Sequence, residues 1–64
     1  MPTQQTVESG KNKYYVVERG DVVLVERAGW LLRRRIGEAH DVEEAYGLIR
    51  SDSGSRSIHI RQGA

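Results

Sequence analysis

Few side chains in this 64-residue chain could do chemistry. The two histidines, His40 and His59, are the first candidates for a metal ligand or a general base. They fall on different segments, with none of the spacing that a zinc site needs. Asp41 follows His40, but neighbours in sequence rarely point at one another, so the two do not make a base and its orienting carboxylate. The segment SDSGS, residues 51–55, has small and hydroxylated side chains. It lacks a lysine and a strand–loop–helix order around it, so it reads as a linker rather than a phosphate loop. The chain holds no cysteine, which excludes disulfides, thiolate metal sites and thiol nucleophiles within it. With no nucleophile–base pair and no metal cluster in view, the expectation is a protein that is not an enzyme and uses no cofactor or metal.

Recognition chemistry is better represented. Arg33, Arg34 and Arg35 form a run of guanidinium forks suited to phosphates and carboxylates. Tyr15 has the composition of an interface anchor, and Trp30 could stack on a ligand. Overall charge does not favour one class of partner. The formal charge is +1, so attraction to nucleic acid would need a local patch. No apolar run approaches the ~20 residues of a membrane span. Residues 1–10 lack the basic and apolar regions of a signal peptide. The expectation is a cytoplasmic protein with no membrane association.

The elements that position these groups follow from pattern. Residues 1–12 are polar and read as a flexible N-terminal arm, leaving 13–64 as one small domain. KYYVVER (13–19) is rich in aromatic and β-branched residues and predicts a first strand. Gly20-Asp21 predicts a type II′ turn, and residues 22–27 a second strand. Ala28-Gly29 is expected to close a second tight turn into a third strand, WLLRRRI (30–36). These turns set Arg19 opposite Val22, Val17 opposite Leu24, and Arg27 opposite Trp30. Alternation then puts Tyr14, Val16, Val23, Val25, Trp30, Leu32 and Ile36 on a core face. The other face receives Tyr15, Val17, Arg19, Val22, Leu24, Glu26, Leu31, Arg33 and Arg35. Asp41 reads as a helix N-cap with Glu44 three residues on, and Val42, Ala45, Tyr46 and Ile49 form one apolar stripe. Gly47 weakens that helix or lets it approach the sheet. RSIHIRQ (56–62) alternates as a last strand, with Ile58 and Ile60 inward, and a crossover would set it parallel to the third. The fold class is α+β: a three-stranded antiparallel meander, one helix on one sheet face, and one further strand, βββαβ.

Several pieces of this order resemble a family of short bacterial proteins of unknown function. They are Tyr15 to Val17, His40-Asp41, Glu44-Ala45 and Ile58-His59-Ile60. The resemblance spans residues 14–63 and implies the same βββαβ fold; it implies no activity. The Arg triplet and the short helix depart from that family's usual pattern.

Two readings of the open sheet face follow. An apolar strip rimmed by arginine has the composition of an interface. Tyr15, Val17, Val22, Leu24, Leu31, Arg33 and Arg35 are therefore the expected contact residues for a protein partner, or for a second copy in a homodimer. The alternative is nucleic-acid binding through Arg19, Arg33, Arg35, His59 and Arg61. Only Tyr15 on that face could stack a base, and Glu26 lowers the potential. Trp30 is expected in the core rather than in a site.

Overall fold

In the computed structural model, which describes residues 3–62, two glycine-led reversals build the first half of the sheet. Gly10 and Gly20 take φ of 61° and 58°, and among the described residues no other residue type has positive φ. Glycine at the first central position is what a type II′ hairpin turn requires. The reversals join β1 (Thr3–Ser9) to β2 (Asn12–Arg19), and β2 to β3 (Val22–Ala28). Ser9 pairs with Asn12, and Arg19 with Val22. The second register is the expected one, with Val17 opposite Leu24 and Tyr15 opposite Glu26.

The expectation of an arm over 1–12 is corrected: residues 3–9 form a strand inside the sheet, between β2 and β5 (His59–Gln62). Met1 and Pro2 lie outside the described residues. The polar composition of β1 does not prevent its burial, because its inward groups find partners. Val7 is fully buried, and Ser9 is buried while hydrogen-bonding the Ser53 hydroxyl and the Ser57 carbonyl. Gln5 accepts a hydrogen bond from the Tyr46 hydroxyl at 2.7 Å. A buried polar side chain that is satisfied in this way costs little.

The third expected strand is also displaced. β4 runs Arg33–Ala39, and Arg27 faces Arg34 rather than Trp30, four positions further along. A tight turn at Ala28-Gly29 would need a primed conformation that alanine resists. The longer connection avoids it. An even shift keeps Arg33 and Arg35 on the open face but removes Trp30, Leu31 and Leu32 from the strand. Trp30 and Leu32 are therefore not core residues. Ile36 stays inward as expected and Ala39 joins it, with a bulge opposite Val25. Gly37 sits in that bulge, where an added Cβ would lie 3.1 Å from a Leu48 methyl. Gly37, not Gly47, is thus the residue that allows helix and sheet to approach; nothing lies within 4 Å of a Cβ at Gly47.

The helix α1 spans Val42–Ser53. The Asp41 carboxylate accepts from the Glu44 N–H at 2.8 Å, as the capping pattern predicts. Gly54 ends the helix at φ 72°, its N–H bonded to the Arg50 carbonyl. Residues 51–53 of the expected linker are therefore the last helical turn. α1 covers one sheet face. Val7, Tyr14, Val16, Val23, Val25, Ala39, Ala45, Tyr46 and Ile49 form the core between them.

The strand order is β4-β3-β2-β1-β5, antiparallel throughout. The fold class is α+β as expected, but with four strands before the helix rather than three. The last strand lies antiparallel to β1 at the edge opposite β4. Four antiparallel steps leave β4 and β5 pointing the same way, so the helix joins parallel strands as expected, but strands that are not neighbours. β1, unrecognised in the sequence, is the neighbour of the last strand, a place the sequence left open between the first and third expected strands. β5 is also shorter than expected. Ile58 packs on the core from just outside it, and Ile60 is 40 % exposed at the edge.

Candidate functional site

The open face carries most of the expected contact residues, but less freely than alternation implies. Arg33 lies across the Tyr15 ring, its guanidinium carbon 3.7 Å from the centroid. The same guanidinium donates to the Gln4 Oε1 at 3.1 Å and faces the Glu26 carboxylate at 3.6 Å. Arg33 stands on β4 and Gln4 on β1, three strand steps away, or ~14 Å across a flat sheet. Sheet twist and two long side chains close that gap. Leu24 is only 8 % exposed although no helix lies over it, and Tyr15 and Val17 are half-buried. Val22 is more open at the start of β3.

The remaining cations are mostly matched. Arg35 faces Glu38 at 3.6 Å, and the Arg61 Nε–H approaches the Glu8 carboxylate at 3.0 Å. Arg19 is exposed at the end of β2, and His59 is exposed on β5. β4 and β5 are opposite edges of the sheet, so Arg61 and His59 do not join Arg33 and Arg35. Four strand steps separate the two groups, ~19 Å if the sheet were flat.

Leu31 does not lie on the sheet face. It belongs to the loop between β3 and β4, where the structure places its most exposed apolar surface. Trp30 is 94 % exposed, and Leu31 and Leu32 are each 81 % exposed. The Gly29 N–H donates to the Leu32 carbonyl at 3.0 Å, which closes the loop and lifts Trp30 and Leu31 to its apex. Only glycine fits there, because a Cβ at position 29 would collide with the Leu32 carbonyl oxygen. Behind the apex, Arg27, Gly29, Leu32, Arg33, Arg34 and Arg35 line an open hollow of about 570 Å³. Arg34 is exposed and, among the described residues, has no carboxylate within 4 Å. Sequence reasoning did not anticipate that Trp30, Leu32 and Arg34 would be exposed together at this loop. The available signal was Trp-Leu-Leu itself, three bulky apolar residues with no alternation, directly after a glycine.

On the helix face, polar groups serve the fold. The Tyr14 hydroxyl donates to Asp52 at 2.7 Å and accepts from the Asn12 amide at 3.0 Å, and Arg27 pairs with Asp52 at 3.1 Å. Burial, then the Asp52 hydrogen bond, raises the Tyr14 pKa, and burial raises that of Tyr46. His40 lies at the surface, 3.5 Å from Glu44. No group of three or more potential metal ligands occurs among the described residues. No helix among them is long and apolar enough to cross a membrane.

This chain matches no protein-family model, no curated protein and no solved structure.

Proposed function

We propose that this chain is a small, non-catalytic protein-interaction module that docks through the Trp30-Leu31-Leu32 loop. The open sheet beside it, with Arg33 and Arg35 at its margin, forms the flank of the contact. The observation that carries the reading is the exposure of three consecutive large apolar side chains on a loop closed by its own hydrogen bond. Contiguous apolar surface of this kind marks interaction sites, and tryptophan and arginine dominate interface energetics. A regulator, an inhibitor of a larger assembly and an accessory subunit all work by such docking. Of the expected interface residues, Leu31 is at the apex, Tyr15 and Val17 lie on the adjoining sheet face, Val22 lies at the end of β3 away from the loop, and Leu24 contributes little accessible surface.

Nucleic-acid binding through Arg19, Arg33, Arg35, His59 and Arg61 has less support. Three of these arginines face carboxylates on the same sheet, and the group is divided between two edges.

Affinity capture from the source cell tests the docking reading, with wild type compared against Leu31→Asp and Trp30→Ser. A partner held by wild type and lost by both variants is the expected result. Identical partners on all three would remove the loop from the function.

A further inference from the structure

The partner chemistry can be read from the other end of β3. There, Glu18, Val23, His40, Asp41, Val42 and Glu43 line, with Gly20, an open hollow of about 600 Å³. Val23 and Val42 give it an apolar floor, and three carboxylates rim it. Glu18 and Glu43 have no basic group within 4 Å among the described residues. Asp41 is engaged in capping α1 through one oxygen, and His40 lies near Glu44. The hollow is open and shallow, so it offers one side chain a face to lie against rather than an enclosed pocket.

The Trp30 loop complements it in shape and charge. It is convex where the hollow is concave and apolar at the tip. Arg34 at its base is a cation with no carboxylate within 4 Å among the described residues. Val23 and Ala28 stand at opposite ends of a seven-residue strand, five residue steps apart, or ~17 Å. A chain therefore cannot fill its own hollow with its own loop. A second copy can.

Resting on the docking reading above, we infer that the Trp30-Leu31-Leu32 loop of one copy seats in the Glu18/Asp41/Glu43 hollow of the next, a head-to-tail contact between copies of this chain. Trp30 lies against Val42 and the exposed edge of Val23, the indole N–H meets a rim carboxylate, and Arg34 faces Glu18 or Glu43. The contact is heterologous, so repetition gives a ring if the rotation closes and an open chain if it does not. Its charged rim makes it weaker at high salt.

The test uses the full chain and two single-ended variants. Trp30→Ser removes the tip, and Glu18→Lys/Glu43→Lys reverses the hollow. All three substitutions are at exposed positions, and circular dichroism checks that each variant is folded. Light scattering after gel filtration, over a wide concentration range, is expected to show wild type growing in mass and each variant staying monomeric. Mixing the two variants is expected to double the mass, because each supplies the half the other lacks, and to stop there. Arg34→Glu is expected to weaken wild-type association and to fail in the same mixture as donor of the loop.

Wild type that stays monomeric throughout overturns the self-contact while leaving the foreign-partner reading in place. A hollow variant that associates as well as wild type also overturns it, since the contact would then be tip-to-tip or sheet-to-sheet. Failure of the docking reading is separate: Leu31→Asp would then keep every partner in the capture experiment.

Discussion

Replacing Trp30 by serine should leave the fold almost unchanged, an unusual outcome for the only tryptophan in so small a chain. With 94 % of its surface exposed, about 6 % is covered in the free chain. Full burial of an aromatic side chain removes ~150–250 Å² from water, so the covered part is about 9–15 Å². At ~25 cal/mol per Å² the loss is roughly 0.2–0.4 kcal/mol. In a domain of this size that moves the thermal midpoint by about 1–3 °C. A tryptophan beneath the helix would instead cost ~3–5 kcal/mol on truncation, comparable to the whole stability of a core this small. The measurement is urea and thermal unfolding followed by far-UV circular dichroism, dilute enough for wild type to be monomeric. Dilution matters because self-association would add a concentration-dependent contribution. Ile49→Ala, at a fully buried position, provides the contrast, with an expected loss of ~2–5 kcal/mol. A Trp30→Ser variant that loses more than ~2 kcal/mol at high dilution would refute the displaced register of β4, and the exposed loop with it.

The remaining predictions concern the sheet, the loop and the tyrosines. Removing residues 1–9 is expected to abolish cooperative unfolding in calorimetry, because β2 and β5 lose the strand between them and the core loses Val7; a truncated chain that melts like the full one would show that β1 is dispensable. Gly29→Ala is expected to cost roughly 1–3 kcal/mol in denaturant unfolding and to alter Trp30 fluorescence, since the backbone must shift to relieve the Leu32 carbonyl; an unchanged midpoint would mean that the loop is not closed as described. Tyr14→Phe is expected to cost ~1–3 kcal/mol by removing the hydrogen bonds to Asp52 and from Asn12. The folded pKa values of Tyr14 and Tyr46 lie above their unfolded value, so their contribution is intact below about pH 10 and is lost as pH rises through the folded values. Unfolding measured across that range should show stability falling, and less steeply in Tyr14→Phe.

Much of this fold is legible in the sequence where local chemistry and tertiary packing agree. Gly20-Asp21 fixes the β2–β3 register through a backbone conformation that only glycine adopts easily, and Asp41 with Glu44 marks the helix start. Tyr14, Val16, Val23 and Val25 sort inward by alternation alone. The parts that were not legible are those where partners distant in sequence decide. TQQTVES looks too polar for an interior strand until Ser53, Ser57 and Tyr46 supply partners for Ser9 and Gln5. Gly10-Lys11 carries the same turn signal as Gly20-Asp21, but the polar flanks conceal it. WLLRRRI looks like a strand because its residues favour one, yet the bulge at Gly37 and the contact with Leu48 select a register that leaves Trp-Leu-Leu outside. The candidate site divides in the same way. Tyr15, Val17, Arg33 and Arg35 fall on the predicted face, whereas the most exposed apolar group lies in a loop that propensity assigns to a strand. The acidic hollow joins Glu18 to Glu43 across elements, a proximity with no trace in local pattern.

The central claim is that the Trp30 loop stands in water in the free chain and awaits a surface to cover it. The most direct measurement is the fluorescence of that single tryptophan in dilute, folded wild-type protein, with acrylamide and iodide as collisional quenchers. Emission at the wavelength of free indole in water, quenched as readily as in the urea-unfolded chain, is the predicted result. A blue-shifted emission shielded from both quenchers under monomeric conditions would place the indole inside the fold and contradict the account.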